Sequence, residues 1–214
     1  MQATLIKTKY PTTDPVIADI IATEAPYMAD PTGEQDSTPA LRQAIADCAK
    51  CGGGTVFLPV GRYRVTGPLT LPPFVTLRGD WQDPDLGNEY GTILLADVDS
   101  VDAPLPALIT VGGSAGAYGL TIYYPHQSID EVKPYPFTFY IAGNMLHSII
   151  NCTVINGYRG VGANVVDGVH EMMCPEAGCA SVECHGWDSL IGRYHQASDM
   201  SLNVWILMPV ALVL

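Results

Sequence analysis

The chain has 214 residues, enough for one large domain with its own core, and at 48% hydrophobic and 15% charged it falls outside disordered compositions. Ten Lys and Arg oppose 22 Asp and Glu, a net charge of −12, and no basic cluster occurs. Nucleic acid and anionic membrane, which need a basic face, are therefore poor partners.

With 21 Gly and 17 Pro, many turns and short strands are expected rather than long helices. The N-terminus shows no charged segment followed by an apolar run, so no secretion signal is visible. Residues 1–30 read as an extended leader punctuated by prolines. One clear helix follows, Thr38 to about Lys50, with Thr38 expected as N-cap and Pro39 at the first helical position. Leu41, Ala44, Ile45 and Cys48 recur at helical spacing and make its apolar stripe. Gly52–Gly54 end it, since glycine accepts the backbone conformation that closes a helix.

From "CGGGTVFLPVGRYRV" onward the pattern is of short strands ending at Gly, Pro or Asn, with no second convincing helix. Val56 and Leu58 are expected on one face, Thr55 and Phe57 on the other. A weak repeat joins "GLTIYY" to "NCTVIN", offset by 32 residues, so that Thr121 aligns with Thr153 and Ile122 with Val154. Periods of this size mark stacked repeats, although apolar–Thr–apolar triplets also occur in any β protein. The apolar segment Val204–Leu214 holds a central Pro209 and is too short to span a bilayer. Its lack of polar capping suggests the N-terminal part of a longer protein, or an altered reading frame. It is expected to be disordered, poorly packed or stuck to an open end.

Six cysteines include the pair Cys48 and Cys51. Zinc, a disulfide and unpaired thiols are all open, with unpaired thiols favoured because four ligands at zinc spacing are lacking.

The run Asp30 to Trp81 carries D-x-T-G, then D-T-x-A, a helix, and GGG-T-V-apolar-apolar-P-x-G-x-Y. It resembles the N-terminal block of the pectate lyase superfamily, in its rhamnogalacturonase- and epimerase-like branch. "GLTIYYP" resembles the same branch, and nothing after about Asn164 does. The resemblance implies an all-β, right-handed parallel β-helix with an N-terminal capping helix at about 38–50, truncated at its C-terminal end. The expected organisation is a leader over 1–30, the β-helix over 31–173 and an aberrant tail over 174–214. The resemblance also implies a polysaccharide or oligosaccharide partner, lyase or glycoside hydrolase chemistry, and a secreted location. Calcium is an open cofactor.

Hydrolysis needs two carboxyl groups at set separation, and a lyase needs a base with a calcium ion held by acids. Asp97 and Asp99 share one strand face and are candidates for an acid–base pair or a metal site, against a solvated turn. Trp81, amid Asp80, Asp83, Asp85 and Glu89, is a candidate sugar platform, against a polar loop tucked onto the first coils. Tyr123 and Tyr124, flanking a proline-rich excursion with Tyr135, are candidate stacking residues, against packing of that loop. Asp167 and Glu171, with His170 opposite, are candidate catalytic groups, against an ordinary loop. His126, His147, His185 and His195 read as structural or exposed. The hydrolase branch's closely spaced Asp pairs are missing. The leading expectation is the N-terminal part of a polysaccharide-degrading protein, inactive as this chain. The alternative is a non-catalytic glycan-binding or structural stalk.

Overall fold

A computed structural model describes residues 3–12, 15–82, 89–128, 130–142, 146–163, 165–166, 169–170 and 201–207. The chain is mostly β, with parallel sheets and one helix. The elements in order are β1 (Thr4–Ile6), β2 (Val16–Ala18), β3 (Ile20–Ile21), α1 (Thr38–Lys50), β4 (Gly54–Leu58), β5 (Gly61–Val65) and β6 (Leu69–Leu71). There follow β7 (Val75–Gly79), β8 (Thr92–Ala96), β9 (Ile109–Val111), β10 (Gly116–Tyr118), β11 (Leu120–Tyr123), β12 (Phe137–Ile141) and β13 (Ser148–Ile155). The last are β14 (Arg159–Ala163), β15 (Val165–Val166), β16 (Val169–His170) and β17 (Ser201–Leu207).

Three parallel ladders organise these strands. The first runs β3, β4, β7, β10, β13; the second runs β5, β8, β11 and the later half of β13. The third runs β6, β9, β12, β14. Each neighbour in a ladder comes from the next pass of the chain. Alternate residues point into the space the ladders enclose and stack like on like. Val56, Leu77, Ala117 and Ile149 form one inward row; Tyr63, Leu94, Ile122 and Val154 form another, all essentially inaccessible. Thr121 pairs with Thr153 and Ile122 with Val154, the register predicted from the 32-residue offset.

The helix spans the predicted residues and buries Leu41, Ala44, Ile45 and Cys48 against β4, β6 and β7. Its cap differs from expectation. Ser37, not Thr38, is the N-cap residue and makes no side-chain cap bond. Asp36 does the polar work: its carboxylate accepts from the Thr38 amide (2.9 Å), the Thr38 hydroxyl (2.6 Å) and the Thr66 hydroxyl (2.8 Å). A short acceptor two residues back outcompetes a Thr side chain already committed to the Thr66 amide.

The glycines answer to geometry. Gly52, Gly53 and Gly54 have φ of +96°, +105° and +136°. The chain leaves the helix there and enters β4 close against Phe74 and Asp19. Val56 and Leu58 face inward as predicted, yet outward Phe57 is also buried. It packs under the leader, against Val16 and Ala18. The leader is thus built into the fold: β3 extends β4, Asp36 bridges to Arg64 beside β5, and α1 covers the third side. All three ladder edges at the N-terminal end are covered, which removes a hazard of edge-to-edge association. At the other end β17 pairs with β13 in parallel, so part of the apolar tail lies on the last strand of that ladder.

Candidate functional site

The loops joining the second ladder to the third bring side chains from three passes together. Arg64 leaves the outer face of β5, Asp97 follows β8, and His126 follows β11. Arg64 Nε donates to Asp97 Oδ2 at 2.6 Å, and His126 Nε2 lies 2.9 Å from Asp97 Oδ1. Asp97 is half-buried, whereas the Arg64 and His126 side chains are 43% and 57% exposed. The Arg64 hydrogen bond, with that from His126, holds the Asp97 carboxyl below its ordinary 3.8 despite partial burial. The cluster is therefore a fixed anion with a cation on one oxygen and an imidazole on the other.

Stability should depend on this ionisation. A carboxyl with a lowered folded-state pKa stabilises the fold above its unfolded value, and that stabilisation is lost as pH falls through the folded value. Asp97, Asp36 and Asp30 are all lowered from 3.8: Asp36 by Thr38 and Thr66 hydrogen bonds that outweigh burial, Asp30 by the Gln35 and Thr32 amides. The thermal midpoint is expected to hold at about pH 6 and to fall below about pH 4. Asp97→Asn should lower it near neutrality and shrink the acid drop. Equal midpoints for the wild-type chain at about pH 6 and 3 would refute this.

The other predicted site residues scatter. Asp99 is exposed. Asp97 and Asp99 do not suit calcium, because both Asp97 oxygens already serve Arg64 and His126. Among the described residues no group of three or more His, Cys, Asp or Glu converges to hold a metal. Tyr124 is 1% exposed; its hydroxyl sits 3.0 Å from that of Thr138 and its ring packs on Tyr135 at 5.0 Å. A ring so enclosed offers no face to a sugar, so Tyr124 packs the excursion instead. Tyr123 points outward and is half-buried. Trp81 is half-buried against Gly119, where a Cβ would come within 2.8 Å of the Trp81 Cβ. Asp80 is buried and accepts from the Lys9 amide (2.6 Å) and Tyr10 amide (3.2 Å), so it pins the leader. Asp83, Asp85, Asp167 and Glu171 lie outside the described residues. Of His170, the backbone pairs with Val165.

Among the described cysteines Cys48, Cys51 and Cys152 are free thiols. Burial pushes Cys48 up to about 11 and Cys152 to about 12, so neither is a ready thiolate. His126 corrects the expectation of a partnerless histidine. Its signal was the ladder register, which places the end of β8 beside the end of β11.

Two solved structures from Azotobacter vinelandii resemble the chain. The A-module of mannuronan C-5 epimerase AlgE4 aligns at 20% identity and a TM-score of 0.54, over 68% of this chain and 41% of that one. The A-module of mannuronan C-5 epimerase AlgE6 aligns at 21% identity and a TM-score of 0.51, again over 68% and 41%. The chain thus spans less than half the length of either. At such identities the likeness speaks for fold alone. No curated protein matches the chain. Residues 25–92 match the family described as "Rhamnogalacturonase A/epimerase, pectate lyase-like". That segment contains the D-x-T-G motif, α1, the three glycines and the first strands of all three ladders, and it belongs to the rhamnogalacturonase A/epimerase branch of the pectate lyase-like proteins.

Proposed function

We propose that the ladders wind as a right-handed parallel β-helix and that the chain is the N-terminal part of a polysaccharide-degrading protein. The hand follows from the strong preference of parallel crossovers for right-handed connection. The polysaccharide reading is carried by one observation, the family match over residues 25–92 on the part of the molecule that starts every ladder. The names of the two epimerase modules support it, since mannuronan is itself a polysaccharide. On this reading 1–30 is a leader, 31–173 the β-helix and 174–214 the tail, and the parent is secreted. Asp167, Glu171 and His170 are the proposed catalytic set, and Trp81 and Tyr123 the proposed sugar platforms.

A binding role without turnover is the second reading. It is favoured by Asp97, the described candidate acid, being held between Arg64 and His126 rather than poised against a second carboxyl. Proton transfer needs positioned groups. This chain is therefore expected to bind glycans weakly and to release no reducing ends or unsaturated uronate from pectin, rhamnogalacturonan or β-glucans, with or without calcium. Turnover abolished by Asp167→Asn or Glu171→Gln would reverse the inactivity claim and locate the catalytic groups. Absence of binding to every one of these polysaccharides would remove the polysaccharide reading.

A further inference from the structure

The outer face of the second ladder has an order of chemistry that the polysaccharide reading does not by itself require. Strand alternation puts Arg62 and Arg64 outward from β5, with Tyr63 between them buried in the core. Arg64 is in register with Leu95, and Leu95 with Tyr123, so the three form one row across successive passes. The row spans about 10 Å, two strand spacings. One end is cationic, the middle is the half-buried Leu95, and the other end is the half-buried Tyr123 ring. His126 stands beside the row, tied through Asp97 to Arg64.

We propose that this row is a binding subsite for an acidic oligosaccharide. The inference rests on the polysaccharide reading above and names the class of sugar for one face. The apolar side of a pyranose lies on Leu95 and Tyr123, and the anion of that sugar or its neighbour meets Arg64. Aromatic rings and aliphatic side chains favour the C–H face of a sugar because both are apolar and flat. Asp97 is the post that makes the site rigid. It takes Arg64 Nε, and both Arg64 Nη groups have no partner among the described residues. The guanidinium is held before any ligand arrives, so less freedom is lost on binding. Asp97 likewise fixes His126 through Nε2 and turns Nδ1 of the exposed ring away, toward a sugar hydroxyl or anion. Arg62 is exposed beside Arg64 and adds a second positive charge. In a chain of net charge −12 this is the local field reversal that an acidic sugar needs. The acids nearby are engaged elsewhere: Asp97 with Arg64 and His126, and Asp36 with Thr38 and Thr66.

The test is calorimetric titration of the whole chain with tetragalacturonate, a sulfated galactan tetrasaccharide without carboxylates, and neutral cellotetraose. Tetragalacturonate should bind more tightly than cellotetraose. Arg64→Gln should weaken the acidic ligand roughly tenfold and leave the neutral one nearly unchanged. Tyr123→Ala should weaken both. Comparable binding of the sulfated ligand assigns the site to anionic sugars generally, and its failure to bind assigns the site to carboxylates; either supports the subsite. If Arg64→Gln does not fold, Arg62→Gln reads the same selective loss, since its side chain makes no hydrogen bond among the described residues. Glycans that bind wild type and these variants alike overturn the subsite and leave the polysaccharide reading intact. So does preference for cellotetraose. No binding of any saccharide overturns both.

Discussion

Gly53→Ala is expected to destabilise the fold by at least about 3 kcal/mol, a large share of the roughly 5–15 kcal/mol that holds a domain together. Two costs combine. At φ +105° the backbone sits where side chains are rarely tolerated, and the conformational part alone is about 1–2 kcal/mol. A Cβ there would also lie 2.5 Å from the Phe74 carbonyl oxygen and 2.6 Å from the Phe74 Cβ. That carbonyl accepts the Gly54 amide at 2.9 Å, so it cannot retreat without breaking the bond that starts β4. Gly52 is the internal control. Its φ is +96°, but nothing stands within 4 Å of where its Cβ would be. Gly52→Ala should therefore show only the conformational part. Urea midpoints for the two variants measure the difference. If Gly53→Ala is no worse than Gly52→Ala, close approach to Phe74 is not what selects the glycine.

That contrast also shows why the opening architecture was legible. Helical spacing of Leu41, Ala44, Ile45 and Cys48 needs only local periodicity, and positive φ needs only glycine. The 32-residue offset was legible because Thr121 and Thr153 begin equivalent runs in adjacent strands of one ladder. Outer-face burial was not. Phe57 alternates with Val56 and Leu58 and reads as outward, but the leader's Val16 and Ala18 cover it from far away in sequence. Tyr123 and Tyr124 look alike in the sequence, yet one faces out and the other is sealed by Tyr135 and Thr138. The site was the least legible part. Arg64, Asp97 and His126 meet only because loops of unequal length return each pass to the same corner, so no fixed spacing marks them. Asp97 was found for its neighbour Asp99, whereas its actual partners are cationic and lie on the two flanking passes.

The inward rows make the sharpest claim about register. Ile122 lies between Leu94 and Val154, with Tyr63 one strand further, and all four are 0% exposed. Ile122→Ala removes volume from the middle of this row. The flanking side chains are held at strand spacing by backbone hydrogen bonds, so they cannot close over the gap. The expected loss is about 2–5 kcal/mol, transfer and cavity costs together. The next residue tests the alternation. Tyr123 faces outward, and Tyr123→Ala should cost about 1 kcal/mol or less although it deletes the larger side chain. A slip of one residue would exchange the two results, because every side chain would change face. Val154→Ala combined with Ile122→Ala should depart from additivity, since the two side chains share one space. Chemical denaturation of the two single variants and the double variant measures all of this. A cost for Ile122→Ala below that of Tyr123→Ala would mean that β11 presents its other face to the core, and the row Arg64, Leu95, Tyr123 would then not exist as a surface.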